Sequence, residues 1–162
     1  MKSKKIAPKR KLNQFKVRAV SVPSLGSRIW AKFRRASFKL SAVAINHGEI
    51  PAIAWRVELA GQSIVFAGAF NNDKDVIRDF AKNADALIVE HSIPEVSRGR
   101  LRELYALPSE LGKVASQADA RMLILAGRTN RTRGRESLSR QAIEKSYDGP
   151  VLFGNDEECW GL

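Results

Sequence analysis

Residues 84–90 read ADALIVE, an apolar run between Asp85 and a closing Glu90. A run this short and this continuous is the pattern of a central strand in a sheet covered on both faces, not of a strand with one wet side. Its neighbours repeat the theme. SIVFAG (63–68) precedes it, and RMLILAG (121–127) and VLFGN (151–155) follow it, each a candidate buried strand. Helical stretches stand between them. In DKDVIRDFAKNA (73–84), Val76, Ile77, Phe80 and Ala81 form one apolar stripe, with Asn72 or Asp73 as the candidate N-cap. SELGKVASQADA (109–120) follows Pro108 and is read as capped by Ser109, and ESLSRQAIEKSY (136–147) stops at Asp148-Gly149-Pro150. Strand and helix therefore alternate from Ser63 onward, which is a βα ladder.

Working outward, FKLSAVAI (38–45) reads as a strand, followed by His47-Gly48 in a loop closed by Pro51. AIAWRVEL (52–59) and the strand from Ser63 flank the Ala60–Gln62 turn and predict a hairpin. Residues 91–108 are a long excursion with helix expected near 97–105. RTNRTRGR (128–135) is a basic loop. Nearer the N-terminus, Phe15–Val22 predicts a short strand and Pro23–Gly26 a turn. Ser27–Ala36 predicts either a short amphipathic helix, with Ile29, Trp30 and Phe33 on one side, or irregular chain. The fold class is α+β or α/β: a hairpin followed by a βα ladder.

Length and charge set the limits. The 162 residues fit one domain. The net charge of +11 is unevenly placed. Residues 1–40 hold 13 Lys/Arg and no acid, whereas residues 41–162 hold 15 Lys/Arg and 17 acids, a net of −2. Residues 1–14 are read as a basic flexible or docked arm and 15–162 as the domain. Such a basic block serves as a solvated tail or as an arm for polyanions, with Lys9, Arg10 and Lys11 as contacts. Cys159 is the only cysteine, so neither an internal disulfide nor a thiolate zinc cluster is available within the chain. No apolar segment follows the basic N-terminus and no run reaches the length of a membrane span, so a cytoplasmic protein without membrane contact is expected.

The order of segments resembles the C-terminal half of a metallo-β-lactamase fold hydrolase, in the ribonuclease Z and arylsulfatase-like branch. The family's loop histidine before a Pro and a Tyr-Arg strand is matched by NHGEIPAIAWRVE (46–58), and its Gly-Asp-Thr strand end by Gly68-Ala69-Phe70. ALIVEHSIPE (86–95) matches the strand closing in Glu, and Tyr105-Ala106-Leu107-Pro108-Ser109 the His-Ala-x-Pro-Ser segment. Leu125-Ala126-Gly127-Arg128 matches Leu-Ser-His-Phe, and YDGPVLFGND (147–156) the closing segment. The resemblance implies half of an αββα sandwich. It also implies a binuclear zinc site, but the opening His-x-His-x-Asp-His motif is nowhere in the chain.

The former site positions are His47, Ala69, Tyr105 and Gly127. Only His47 is a ligand candidate. Alanine stands where the family bridges two ions with Asp, and glycine where it has an imidazole, so no metal, cofactor or catalytic residue is expected. Tyr105 replaces a histidine with a phenol, a poor acid near neutral pH. His47 reads either as a remnant ligand or as a locally satisfied loop histidine, and His91 as structural or solvent-facing. Arg128, Arg131, Arg133 and Arg135 rim the emptied mouth and suit phosphate or RNA, with Arg98, Arg100 and Arg102 beside them. Pairing with Asp156, Glu157 and Glu158 is the alternative. Strands read as buried on both faces, in what resembles half a sandwich, predict a homodimer or a heteromeric partner over the open face. The expected function is that of a non-catalytic relative acting by assembly or binding. The alternatives are an RNA- or phosphate-binding module and a metal-dependent hydrolase completed by a partner chain.

Overall fold

In a computed structural model, residues 19, 21–26, 29–35 and 37–161 are described. Their strands form one seven-stranded sheet in chain order: β1 (Trp30–Arg35), β2 (Phe38–Ile45), β3 (Ala52–Leu59), β4 (Gln62–Gly68), β5 (Ala86–Glu90), β6 (Leu123–Ala126) and β7 (Val151–Phe153). The first four pair antiparallel, β2 and β3 through the loop of residues 46–51, and β4 to β7 are parallel. Each parallel step crosses through a helix: α1 (Val76–Phe80), then the short α2 (Leu101–Leu104) with α3 (Pro108–Gln117), then α4 (Glu136–Ile143). Such crossovers are right-handed, and here each moves one strand further in the same direction, so the helices collect on one face. Contacts of α1 with α3 and of α3 with α4 agree with that.

The core lies under those helices. Val43, Val65, Leu87, Val89, Leu123 and Leu125 meet Ile77, Phe80, Leu111, Val114 and Ile143. The phenol of Tyr147 closes one end by donating to the Ala120 carbonyl at 2.9 Å, and burial pushes its pKa up to about 12. Among the described residues no helix is long and apolar enough to cross a membrane.

The hairpin, the ladder and the order of elements agree with the sequence reading; several boundaries differ. Residues 30–35 are a strand, not a helix. Once β2 exists its free edge offers a ladder of backbone partners, and pairing with a bulge between Ala31 and Phe33 prevails over weak local helical periodicity. The helix expected over 73–84 contracts to α1. It starts after Asp75, whose left-handed φ of 52° marks the N-cap, so neither Asn72 nor Asp73 serves. Its end is fixed by Arg56, which reaches from β3 to the carbonyls of Phe80 (3.1 Å) and Lys82 (2.8 Å). The helix near 97–105 is reduced to α2.

Ser109 is not a cap. Pro108 takes the first helical position, which suits its fixed φ, and Leu107 becomes the cap residue. Glu110 then accepts from the Leu107 N–H at 2.7 Å, while Ser109 is held by Glu95. Of the strand expected over Phe15–Val22, Ala19, Ser21 and Val22 are described and none lies in a strand; the rest of it and the basic arm, with Lys9, Arg10 and Lys11, lie outside the described residues.

Helices α3 and α4 approach closely at Gly112. A Cβ there would stand 2.6 Å from the Ile143 carbonyl oxygen and 2.9 Å from its Cα, both backbone atoms. Gly112→Ala raises helix propensity yet is predicted to destabilise the fold by roughly 1–3 kcal/mol, the cost of overpacking. Urea unfolding measures it, and a gain in stability would refute the close crossing.

Candidate functional site

Strand β2 and strands β4 to β7 all run in one direction. Their C-terminal ends therefore share one rim of the sheet, where sites in open α/β sheets form. His47 follows β2, Ala69 follows β4, His91 follows β5, and Gly127 follows β6. Tyr105 arrives from the excursion, because the Ala106 N–H donates to the Phe70 carbonyl at 2.6 Å. The positions singled out in the sequence thus gather on one rim although they lie tens of residues apart.

His47 is buried and held by its loop. Its Nδ1 lies 2.6 Å from the Leu104 carbonyl oxygen, which can only accept, so Nδ1 is the donor and Nε2 is the ring nitrogen left for any other contact. The Tyr105 ring packs edge-on to the imidazole at 5.2 Å between centroids. Asn71, which the sequence reading missed, ties this corner together. It is buried, receives no distinctive motif, donates to the Glu103 carbonyl at 2.6 Å, and its N–H donates to Asn46 O at 3.0 Å. Gly48 is required here: its φ is +63°, and a Cβ would press on Leu104 at 2.8 Å.

At the other end of the rim Gly127 also has a left-handed φ, +60°. The place a Cβ would take is 2.8 Å from Cγ of Glu90. Glu90 itself accepts from the Ser92 hydroxyl. Ala69 has no donor atom, and among the described residues no three His, Cys, Asp or Glu side chains group closely enough to hold a metal ion. The residues present therefore do not fit the zinc pair that such a rim implies.

The arginine loop divides into two parts. Arg128 is locked, paired with Glu136 at 2.6 Å and bonded to the Gly154 carbonyl at 3.2 Å and to Asn155. Arg131, Arg133 and Arg135 are exposed, and among the described residues no carboxylate pairs with them. Thr129 and Thr132 fix the loop backbone by donating to the carbonyls of Ser92 (2.9 Å) and His91 (2.8 Å). A shallow depression of about 550 Å³ opens between Arg128, Arg133, Gly154 and Asp156. Nearby, Arg102 pairs with Glu110, while Arg98 donates to the neighbouring Ser97 carbonyl.

Beneath this loop lies a pair that sequence reading had no means to find, because its members are 48 residues apart. His91 is 1% exposed, with Nε2 2.8 Å from the Ser139 hydroxyl and Nδ1 without a partner. Burial, aided by the Arg128 charge and opposed by Glu136, lowers its pKa from 6.5 to about 4. Glu136 is held below its ordinary value by its own backbone N–H and by Arg128.

Comparison with solved structures identifies the fold. A metallo-β-lactamase fold protein, YhfI from Bacillus subtilis, superposes with a TM-score of 0.67 at 19% identity, over 80% of this chain and 52% of that one. A metal-dependent hydrolase candidate from Parabacteroides distasonis gives 0.53 at 15% identity, over 76% and 53%. Unliganded yeast PDE1 gives 0.52 at 14%, over 78% and 46%. The chain thus carries part of the metallo-β-lactamase fold and spans about half the length of the solved structures it matches. No protein-family model matches it, and no curated protein matches it.

His91 makes a pH prediction. Its folded pKa is depressed, so the unfolded chain binds the proton first as pH falls below 6.5. The stability linked to the neutral ring is complete above pH 6.5 and is lost progressively towards pH 4. The loss is predicted at roughly 3 kcal/mol. Urea titrations at pH 7 and pH 4 on the native chain and His91→Leu isolate it: the native chain should lose more by that amount, and equal losses would refute the assignment.

Proposed function

We propose that this chain is a non-catalytic relative of the metallo-β-lactamase fold hydrolases and works by binding. The observation that carries this is the rim itself. The strand ends after β4 and β6 present Ala69 and Gly127, neither with a side-chain donor, and Glu90 crowds the second position. Two divalent ions need several N or O donors and a bridging anion to activate water. His47 alone offers one imidazole nitrogen. The positive φ of Gly127 also opposes an added side chain, so the backbone shape and the missing donor support the same reading.

Two measurements test it. Calorimetric titration with zinc is predicted to show no pair of tight sites per chain, and an activated phosphodiester such as bis(p-nitrophenyl) phosphate should turn over no faster than in buffer with zinc or manganese. Turnover abolished by His47→Ala would overturn the reading and favour a hydrolase, with Nε2 of His47 as a ligand.

The free guanidinium groups of the arginine loop favour a second reading, binding of RNA or another polyanion. Arg131, Arg133 and Arg135 stand exposed on a backbone fixed by two threonines, and exchange of water for phosphate there displaces no ion pair among the described residues. The basic residues 1–40 would add long-range attraction. Binding to a fluorescent single-stranded RNA is predicted to weaken steeply between 50 and 200 mM salt, with a log–log slope reduced by about 2 in a variant carrying Arg131→Ser, Arg133→Ser and Arg135→Ser. Binding that ignores salt, or a slope the variant leaves unchanged, would remove the loop from consideration.

A further inference from the structure

The arginine loop has an acidic counterpart. Residues 128–135 carry four arginines and no acid, and residues 156–158 are Asp-Glu-Glu with no base. The two segments are neighbours, because β6 and β7 pair in parallel and each continues beyond the same rim. Arg128, Arg133 and Asp156 line one depression. The C-terminal tail also turns back on itself. Glu157 takes a left-handed φ of 67°, uncommon for a residue with a side chain. The Glu158 carboxylate then returns to Asn155, where it accepts from the backbone N–H at 3.2 Å and from Nδ2 at 2.6 Å. The oxygen of the same amide accepts from Arg128. A guanidinium only donates and a carboxylate only accepts, so Asn155 joins the two in one orientation. Beyond this clamp the Trp160 ring comes within 3.4 Å of the place a Cβ on Gly154 would take. Contacts thus run from Glu136 through Arg128 and Asn155 to Glu158, and they hold the exposed acids 156–158 at the base of the loop.

We propose that the tail is an internal competitor for the arginine loop: Asp156, Glu157 and Glu158 stand where RNA phosphates approach and weaken the binding of single-stranded RNA. This rests on the reading of the loop as an RNA site and adds its regulation. Charge favours it. Among the described residues none of the three carboxylates forms an ion pair, so their charge is uncompensated. An uncompensated charge within a Debye length of the loop lowers its attraction for phosphate whether or not it touches an arginine. The anchor matters as much as the charge. A loose acidic end samples a large volume, whereas one held through Asn155 keeps a high effective concentration beside the loop. The arrangement also sets a preference for long anions. A strand with successive phosphates would engage the loop and the basic residues 1–40 together and prevail over the tail, and a single small anion would not.

The experiment measures binding of a fluorescent single-stranded RNA to the full chain and to two variants of equal net charge. One carries Asp156→Asn, Glu157→Gln and Glu158→Gln. The other carries Asp119→Asn, Glu144→Gln and Asp148→Asn, three exposed acids at the opposite end of the sheet, after α3, after α4 and before β7. At about 50 mM salt the tail variant is expected to bind roughly tenfold tighter than the native chain, because charges inside the Debye length are little screened, and the distant variant within about twofold of it. Adding Arg131→Ser, Arg133→Ser and Arg135→Ser to the tail variant should remove most of that gain. Equal affinities of the native chain and the tail variant, an equal gain in the two variants, or a gain that survives loss of the three arginines would each overturn the proposal while RNA binding itself stands. No binding by either the native chain or the tail variant would overturn it together with the reading it rests on.

Discussion

A β-strand feeding a helix and then a parallel strand must turn to the right, and this one constraint orders the rest of the molecule. Strands β4 to β7 are laid down successively in one direction, so every crossover helix falls on the same side. The core is consequently one-sided: Leu87, Val89, Leu123 and Leu125 meet α1, α3 and α4, and the alternate residues of the same strands look the other way. Parallel strands also end together. The rim with its loops and the helix-free side of the sheet, where Phe66 lies exposed, are therefore two consequences of the same chirality.

Much of this was legible in the sequence because it depends on periodicity. Continuous apolar runs such as ALIVE and MLILA announce parallel strands whatever their surroundings, and the hairpin announces itself through the Ala60-Gly61 turn. What periodicity does not carry is competition for backbone partners. Trp30–Arg35 has a helical stripe and a strand's composition at once, and only the free edge of β2 decides between them. Likewise α1 ends where Arg56 binds its last carbonyls, a fact about β3, not about the helix.

The rim was legible by position and less so by interaction. Resemblance marked His47, Ala69, Tyr105 and Gly127, and strand direction brings them to one edge. The contacts that define their chemistry are long-range and leave no local trace. Leu104 sets the tautomer of His47, Ser139 meets His91, and Glu136 neutralises Arg128. Of the four loop arginines, sequence alone treats all alike. The structure separates Arg128, a brace between β6, α4 and β7, from the three that remain available.

Scaffold and chemistry are separable in this fold because they use different atoms. Stability comes from side chains between sheet and helices, such as Leu87, Leu111 and Ile143, each about 1% exposed or less. Any chemistry would come from loops beyond the strand ends, which those side chains do not touch. Left-handed glycines at Gly48, Gly68 and Gly127 turn the chain at three of those ends through backbone conformation alone. A rim can therefore hold its shape with or without donors at positions 69 and 127.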